Sequence, residues 1–285
     1  MLHALRTANK TISWSELLLP WRIAAHLHTH RQLLWELSKR DILSRYRGSF
    51  LGVFWSLLRP LFMLAVYTVV FGYIFESKLG QHPAETKLDF TLALFCGLVI
   101  FELFAESVNR APTLILNHSN YVTKVVFPLE ILPVATFVAA LVQALISFLP
   151  LLIGLLLTRG TIPLSICYLP VILVPLILFC LGLGWGLASL GVFIRDLTSI
   201  VPLLTTITMY ASAIFYSIRI VPKHLVPLVH YNPLATTIDQ ARNAVLWGTP
   251  PPWGHYGVML GVASVTCLLG YTFFMRTKRA FADVM

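Results

Sequence analysis

The chain has 285 residues, of which 57% are hydrophobic and only 12% charged, and its mean hydropathy is +0.78. A soluble domain carries about 25% charged residues, so composition excludes a soluble enzyme, a disordered chain and a disulfide-stapled secreted module, and leaves an integral membrane protein. The net charge of +9 is then to be read from where the charges sit along the membrane, and no nucleic-acid partner is expected.

Residues 1–56 contain no continuous apolar core, so no cleaved signal peptide is expected. His26, His28 and His30 alternate there. That spacing shares a face on a strand but not on a helix, and the three are read as polar flanking residues rather than metal ligands. Residues 31–47 are good helix formers without Gly or Pro, with Trp35, Ile42, Tyr46 and Phe50 near one face. They read either as an interfacial helix along the inner leaflet, its Arg and Lys side chains reaching headgroups, or as an ordinary basic flank.

A bilayer core of about 30 Å needs about 20 apolar residues per helix. Six stretches qualify, near 57–75, 90–108, 129–157, 166–193, 200–216 and 256–275. The chain is therefore predicted to be an all-α polytopic membrane protein: an N-terminal segment 1–56, a six-helix transmembrane domain 57–275 and a tail 276–285. Pro133, Pro150, Pro170 and Pro175 lie inside the third and fourth spans as kink points. Six spans put both termini on one side. Fifteen Lys and Arg fall on that side and six on the other, which predicts cytoplasmic termini.

Between the second and third spans, 117–128 is longer than a tight hairpin needs and ends at Pro128. It reads as a short helix for a soluble partner or as a plain surface loop. The connection after the fourth span is short and holds Arg195 and Asp196. Between the fifth and sixth spans, Asn232-Pro233 reads as the N-cap and first residue of a helix. Leu234, Ile238, Ala241 and Val245 then share one face, Asp239 and Gln240 lie away from it, and Thr237 and Arg242 flank it. Gly248 and Pro250 stop it. This helix is too short and polar to span. It reads either as dipping into the outer interface or lining a vestibule, with 222–229 as a shorter descending arm, or as a cap lying flat outside.

The chain has no Gly-rich loop ending in Gly-Lys-Ser/Thr and no nucleophile triad. The cluster Gly182-Leu-Gly-Trp-Gly186 lies mid-span, where small residues let helix backbones approach. Cys96, Cys167, Cys180 and Cys267 lie in apolar runs without ligand spacing and read as small buried hydrophobes. Glu102 and Glu106, four residues apart, read as a structural pair that Arg110 neutralises or as a proton or cation relay. With no internal repeat and little intramembrane charge, the chain shows no energy source of its own. A passive pore, or a permease driven by a separate soluble subunit, fits best.

The stretch KRDILSRYRGSFLGVFWSLLRP from Lys39 to Pro60, running into the first span, resembles the start of bacterial polysaccharide ABC exporter permeases, the O-antigen, capsule and teichoic-acid members of the type-2 ABC exporter class. The order of the spans, Arg195-Asp196 and Tyr231-Asn232-Pro233 resemble that class too. The chain departs from it in the long stretch before Leu33 and in Glu102.

The resemblance implies a homodimer working with two copies of an ATP-binding subunit in the bacterial inner membrane. It implies that this chain binds no cofactor, ATP and Mg being held by the partner subunit, and that it moves a lipid-linked polysaccharide along the dimer axis. Membrane lipids and periplasmic or outer-membrane export proteins are further implied partners. It assigns 117–128, with Asn120, Tyr121, Lys124 and Phe127, to coupling with the ATPase, and Arg40, Arg45 and Arg47 to the cytoplasmic entrance. It assigns 222–247, with Tyr231, Asn232 and Pro233, to re-entrant helices at the periplasmic gate. Tyr67, Phe71, Tyr210, Phe215 and Tyr216 are the candidate channel rings, because aromatic faces stack on sugars while letting a chain slide; packing against lipid or other helices is the other reading of each. A permease of the same class for a drug or smaller lipid, and a secondary carrier using Glu102 and Glu106, are the alternatives.

Overall fold

A computed structural model of the chain describes residues 25, 27–46, 48–74, 86–123, 127–216, 221, 222, 224, 226, 229 and 231–284. His26, Arg47, Lys124 and much of 217–230 lie outside these. All regular structure among the described residues is helical.

Helix α1 (Arg31–Tyr46) precedes α2 (Trp55–Tyr67), which a 3-10 turn, Gly52–Phe54, leads into and a π-helical stretch, Thr68–Ile74, continues. Then come α3 (Lys87–Leu114), the 3-10 turn Leu116–His118, the short α4 (Ser119–Thr123) and α5 (Ile131–Arg159). A 3-10 turn, Leu164–Tyr168, leads into α6 (Leu169–Phe193), and α7 (Leu197–Ala211) and α8 (Pro233–Leu246) follow. The chain closes with α9 (Trp253–Thr277), the turn Lys278–Ala280 and α10 (Phe281–Val284).

Five of these stretches are long and apolar enough to cross a membrane: Gly52–Phe71, Leu88–Leu114, Ile131–Arg159, Leu164–Phe193 and Trp253–Val284. The span expected at 200–216 is shorter. Its helix, α7, ends at Ala211 after 15 residues, roughly 22 Å at 1.5 Å per residue. Just beyond it Ala213 sits at φ +53°, outside the helical region.

Helix α3 is the centre of the bundle. Every residue from 89 to 101 is buried, against α5, α6, α7 and α8. Its start is fixed by a reciprocal cap: Thr86 Oγ1 accepts from the Asp89 N–H at 3.2 Å, and the Thr86 N–H donates to Asp89 Oδ2 at 2.9 Å. Helix α5 ends at Gly160, whose φ of +69° closes the last turn at no Cβ cost.

Helices α6 and α9 approach until their backbones touch. A methyl group on Gly182 would lie 2.5 Å from the Thr266 carbonyl oxygen, and one on Gly270 would lie 2.0 Å from that of Gly182. At the end of the bundle that carries α1, Trp185 Nε1 donates to the Glu130 carbonyl at 2.9 Å and Lys278 Nζ meets the Glu130 carboxylate at 2.6 Å. These bonds tie α6 and the end of α9 to the start of α5.

Helix α1 packs on α5 through Leu33, Leu34 and Leu37, within a cluster that includes Leu114, Ile115, Leu129 and Ile131. Ser38 is buried beside Leu37. Trp35 is 60% exposed and Phe50 wholly so, so the face carrying Trp35 and Phe50 is turned outward. Cys96, Cys180 and Cys267 are buried, whereas Cys167, in the turn before α6, is exposed. Among the described residues no cluster of three or more His, Cys, Asp or Glu could hold a metal ion.

Candidate functional site

The candidate channel rings meet where α2 and α7 end. Tyr67 and Phe71 have centroids 6.3 Å apart, Phe71 and Phe215 6.5 Å, and Phe215 and Tyr210 5.9 Å, all tilted. Phe90 of α3 backs the array 6.0 Å from Phe71. Tyr216 joins it by donating its hydroxyl to the Tyr210 carbonyl at 2.9 Å. Spacings of this size suit aromatic pairs, each worth about 0.5–1.5 kcal/mol beyond burial. Tyr210 stays 61% exposed, so the array offers ring surface to a ligand or to another chain.

Tyr67 is shared with a cavity of about 780 Å³ between α2, α3 and α5. Trp55, Arg59 and Met63 line one wall, Glu102 and Glu106 another, and Gln143 and Ser147 a third, with Arg45 at the α1 side. Gln143 is held by a hydrogen bond from its Nε2 to the Ser56 carbonyl at 3.0 Å. A cavity with aromatic rings, an amide and charges of both signs can bind polyhydroxylated chains through ring faces and hydrogen bonds.

Four charged groups join α1 to α3 beside this cavity. Arg110 donates to both oxygens of Asp41, at 2.5 and 2.8 Å, and Arg45 to Asp41 Oδ2 at 3.1 Å. Arg45 also pairs with Glu106, and Arg110 approaches Glu106 at 3.5 Å. Glu106 is thus held by two guanidiniums, as the structural reading of Glu102, Glu106 and Arg110 requires of it, while Glu102 is exposed to the cavity.

Burial pushes the Asp41 carboxyl up, and the Arg110 and Arg45 guanidiniums outweigh burial, so its pKa lies below the ordinary 3.8. A depressed carboxyl contributes stability that is in place above its unfolded pKa and is lost as pH falls through the folded one. Asp41→Asn should therefore lower the melting temperature of the detergent-purified protein at neutral pH by roughly 3 °C. It should also flatten the acid side of the stability curve below about pH 4. The same curve for variant and wild type would remove the network from the account.

Within 117–128, His118, Tyr121 and Phe127 come together beside α1. Tyr121 stacks between His118 and Phe127, with centroids 5.7 and 4.4 Å away and planes within 14° and 11°. Arg40 Nη1 donates to the Tyr121 hydroxyl at 2.9 Å. Asn120 is exposed, and Phe127 is half-buried against the same cluster as Leu33 and Leu37. Two of the residues assigned to the cytoplasmic entrance are thereby placed: Arg40 on this segment and Arg45 at the cavity.

Helix α8 opens with Asn232, whose Oδ1 accepts from the Leu234 N–H at 3.0 Å, and Pro233 as the first helical residue. Its expected apolar face is buried, but so are Thr236, Thr237, Gln240 and Arg242. It lies along α3 and α6 inside the bundle, not flat upon it. Its last carbonyl, of Leu246, accepts from Arg159 of α5; Arg159 also pairs with Asp89 at 2.6 Å and lies 4.5 Å over the Trp247 ring. Tyr231, just before the cap, is 64% exposed.

The residue that sequence reasoning missed is Arg242. It reads as a flank of an amphipathic helix, yet it is 2% exposed. Its Nε donates to the Ala93 carbonyl at 2.7 Å, Nη1 to that of Ala213 at 2.9 Å and Nη2 to that of Ile214 at 2.5 Å. The available signal was the small residue Gly97, which leaves room for a guanidinium: a methyl group there would meet Nη2 at 2.6 Å.

Residues 32–246 match the family model described as ABC-2 type transporter. The O-antigen export system permease protein RfbA of Myxococcus xanthus is 31% identical over 231 residues, covering 81% of this chain and 79% of that protein. An O-antigen export system permease protein RfbA of Klebsiella pneumoniae is 24% identical over 256 residues, 89% of this chain and 95% of its own length. The polysialic acid transport protein KpsM of Escherichia coli is 24% identical over 212 residues, 73% and 79% of the two chains.

Proposed function

The chain belongs to the ABC-2 type transporter family as a multi-pass membrane permease, and from that premise we propose that it is the permease of an ATP-driven exporter. Its cargo is a lipid-linked O-antigen or capsular polysaccharide. It works as a homodimer in the bacterial inner membrane with two copies of an ATP-binding subunit. The chain has no nucleotide site of its own; ATP and Mg act on that partner.

Both termini lie in the cytoplasm, in keeping with the Lys and Arg bias. Helix α1 is interfacial, α7 with the turn after it completes six crossings, and α8 is a re-entrant helix of the periplasmic gate. Asn120, Tyr121, Lys124 and Phe127 couple to the ATPase, and Arg40, Arg45 and Arg47 flank the cytoplasmic entrance. The cavity receives the glycan, and Tyr67, Phe71, Tyr210, Phe215 and Tyr216 carry it onward.

The observation that carries this reading is the continuity of ring surface. Tyr67 both lines the cavity and begins the array that ends at Tyr210. Stacking on rings binds sugar faces without fixing one register, which a sliding polymer needs. The carrier alternative loses support because Glu106 is already engaged by Arg45 and Arg110.

The test is export in cells carrying Tyr210→Ala or Tyr216→Ala. Each should slow glycan export by about tenfold, the effect of roughly 1.4 kcal/mol, while the permease still assembles and co-purifies with its ATP-binding partner. Unchanged flux would take these rings out of the path. Uptake driven by a pH gradient in liposomes without any ATPase would replace the exporter by a carrier.

A further inference from the structure

Three consecutive residues beyond α7 are each held by α8. Asn232 Nδ2 donates to Ser212 Oγ at 3.1 Å, and Arg242 donates to the carbonyls of Ala213 at 2.9 Å and Ile214 at 2.5 Å. Ser212, Ala213 and Ile214 are all buried. Ala213 has φ +53°, a left-handed conformation that costs a residue with a Cβ free energy and persists where its surroundings over-determine it. The next two residues are Phe215 and Tyr216, two of the rings of the array. Arg242 also grips the Ala93 carbonyl on α3 at 2.7 Å, so the turn is referenced to the centre of the bundle.

We propose that Arg242, with Asn232, is a positioning residue that clamps a strained hinge at 212–214 and thereby sets where Phe215 and Tyr216 stand in the path. Helix α8 is then more than a plug. It is the part that turns the aromatic end of that crossing toward Phe71. Any movement of α8 reaches the rings through three directional hydrogen bonds as well as through the packing of Ala235 near Ala213 and Tyr216. This inference rests on the reading of the array as a transport path.

Amide hydrogen exchange of 212–216 in the full-length purified protein tests the clamp, and leak of a small sugar such as sucrose from liposomes holding the same protein tests the path. Arg242→Gln should raise exchange across 212–216 by at least about tenfold and raise the leak, with Arg242→Lys between it and wild type. Ala213→Gly, which accepts positive φ, should keep the segment protected, whereas Ala213→Val should not. Should Arg242→Gln fail to reach the membrane, Ser212→Ala carries the test: it removes the acceptor of Asn232 Nδ2 while leaving Arg242 on its carbonyls, and should raise exchange at 212–216. Exchange unchanged in these variants would overturn the clamp. Raised exchange with an unchanged leak would uphold the clamp and overturn the path on which its role depends.

Discussion

Phe127→Asp is expected to stop glycan export while ATP hydrolysis by the partner subunit continues. The ring of Phe127 stacks on Tyr121 at 4.4 Å, and Tyr121 is held in turn by Arg40. Removing the ring forfeits an aromatic pair worth about 0.5–1.5 kcal/mol and about half the 1.5–3 kcal/mol of a fully buried Phe. A loss of roughly 2 kcal/mol lowers the population of the stacked segment about thirtyfold. The new carboxylate also stands near Arg40 and offers it a partner other than the Tyr121 hydroxyl. Phe127 shapes the segment, whereas Asn120 is exposed upon it, so Asn120→Ala should weaken docking less than Phe127→Asp deforms it. The measurements are surface glycan in cells and ATPase activity of the purified complex. Normal export by Phe127→Asp would sink the assignment of 117–128 to coupling.

The long helices were legible because their signal is length and greasiness, and a bilayer leaves no other way to satisfy so many backbone groups. The start of α8 was legible from Asn232-Pro233, since capping is local chemistry. The end of α7 was not. Nothing in composition marks Ala211 as the last helical residue; the break lies in the backbone, where Ala213 sits at φ +53°. The ion network was half legible. Glu106 and Arg110 lie four apart on one helix, but Asp41 lies 69 residues from Arg110 in sequence, and only the fold brings them together. The face of α1 was ambiguous for a related reason. Trp35 is the larger apolar residue, yet Leu33, Leu34 and Leu37 are the ones that meet α5, and size alone does not say which apolar side a helix turns to its neighbours.

These contacts give α1 a definite place in the proposed exporter. Arg40 grips the coupling segment, while Asp41 and Arg45, within the next turn and a half, grip α3 and reach the cavity. A displacement of the coupling segment therefore has a short rigid lever to the cavity wall. Energy transfer by that lever requires contacts that differ between the two states of the transporter, and the charged network of α1 lies between the segment and the cavity, where such a difference would act.

Gly182→Ala is expected to leave almost no folded protein in the membrane, while Gly186→Ala, one helical turn away, is expected to be tolerated. Both belong to the same small-residue motif, so sequence alone ranks them equally. Around Gly182 the added methyl would lie 2.5 Å from the Thr266 carbonyl oxygen and 2.7 Å from the Cys267 nitrogen, and backbone atoms cannot swing aside as a side-chain tip can. The facing Gly270 already sits against the Gly182 carbonyl. Helices α6 and α9 would have to separate along their contact, and in lipid that contact is held by close van der Waals packing, with no water-driven term to compensate. Around Gly186 the same methyl meets nothing within 4 Å, and Ala is favoured over Gly in a helix interior by about 1 kcal/mol. Membrane yield and a monodisperse elution profile for each variant check the pair. Equal behaviour of the two variants would mean that α6 and α9 do not cross at Gly182.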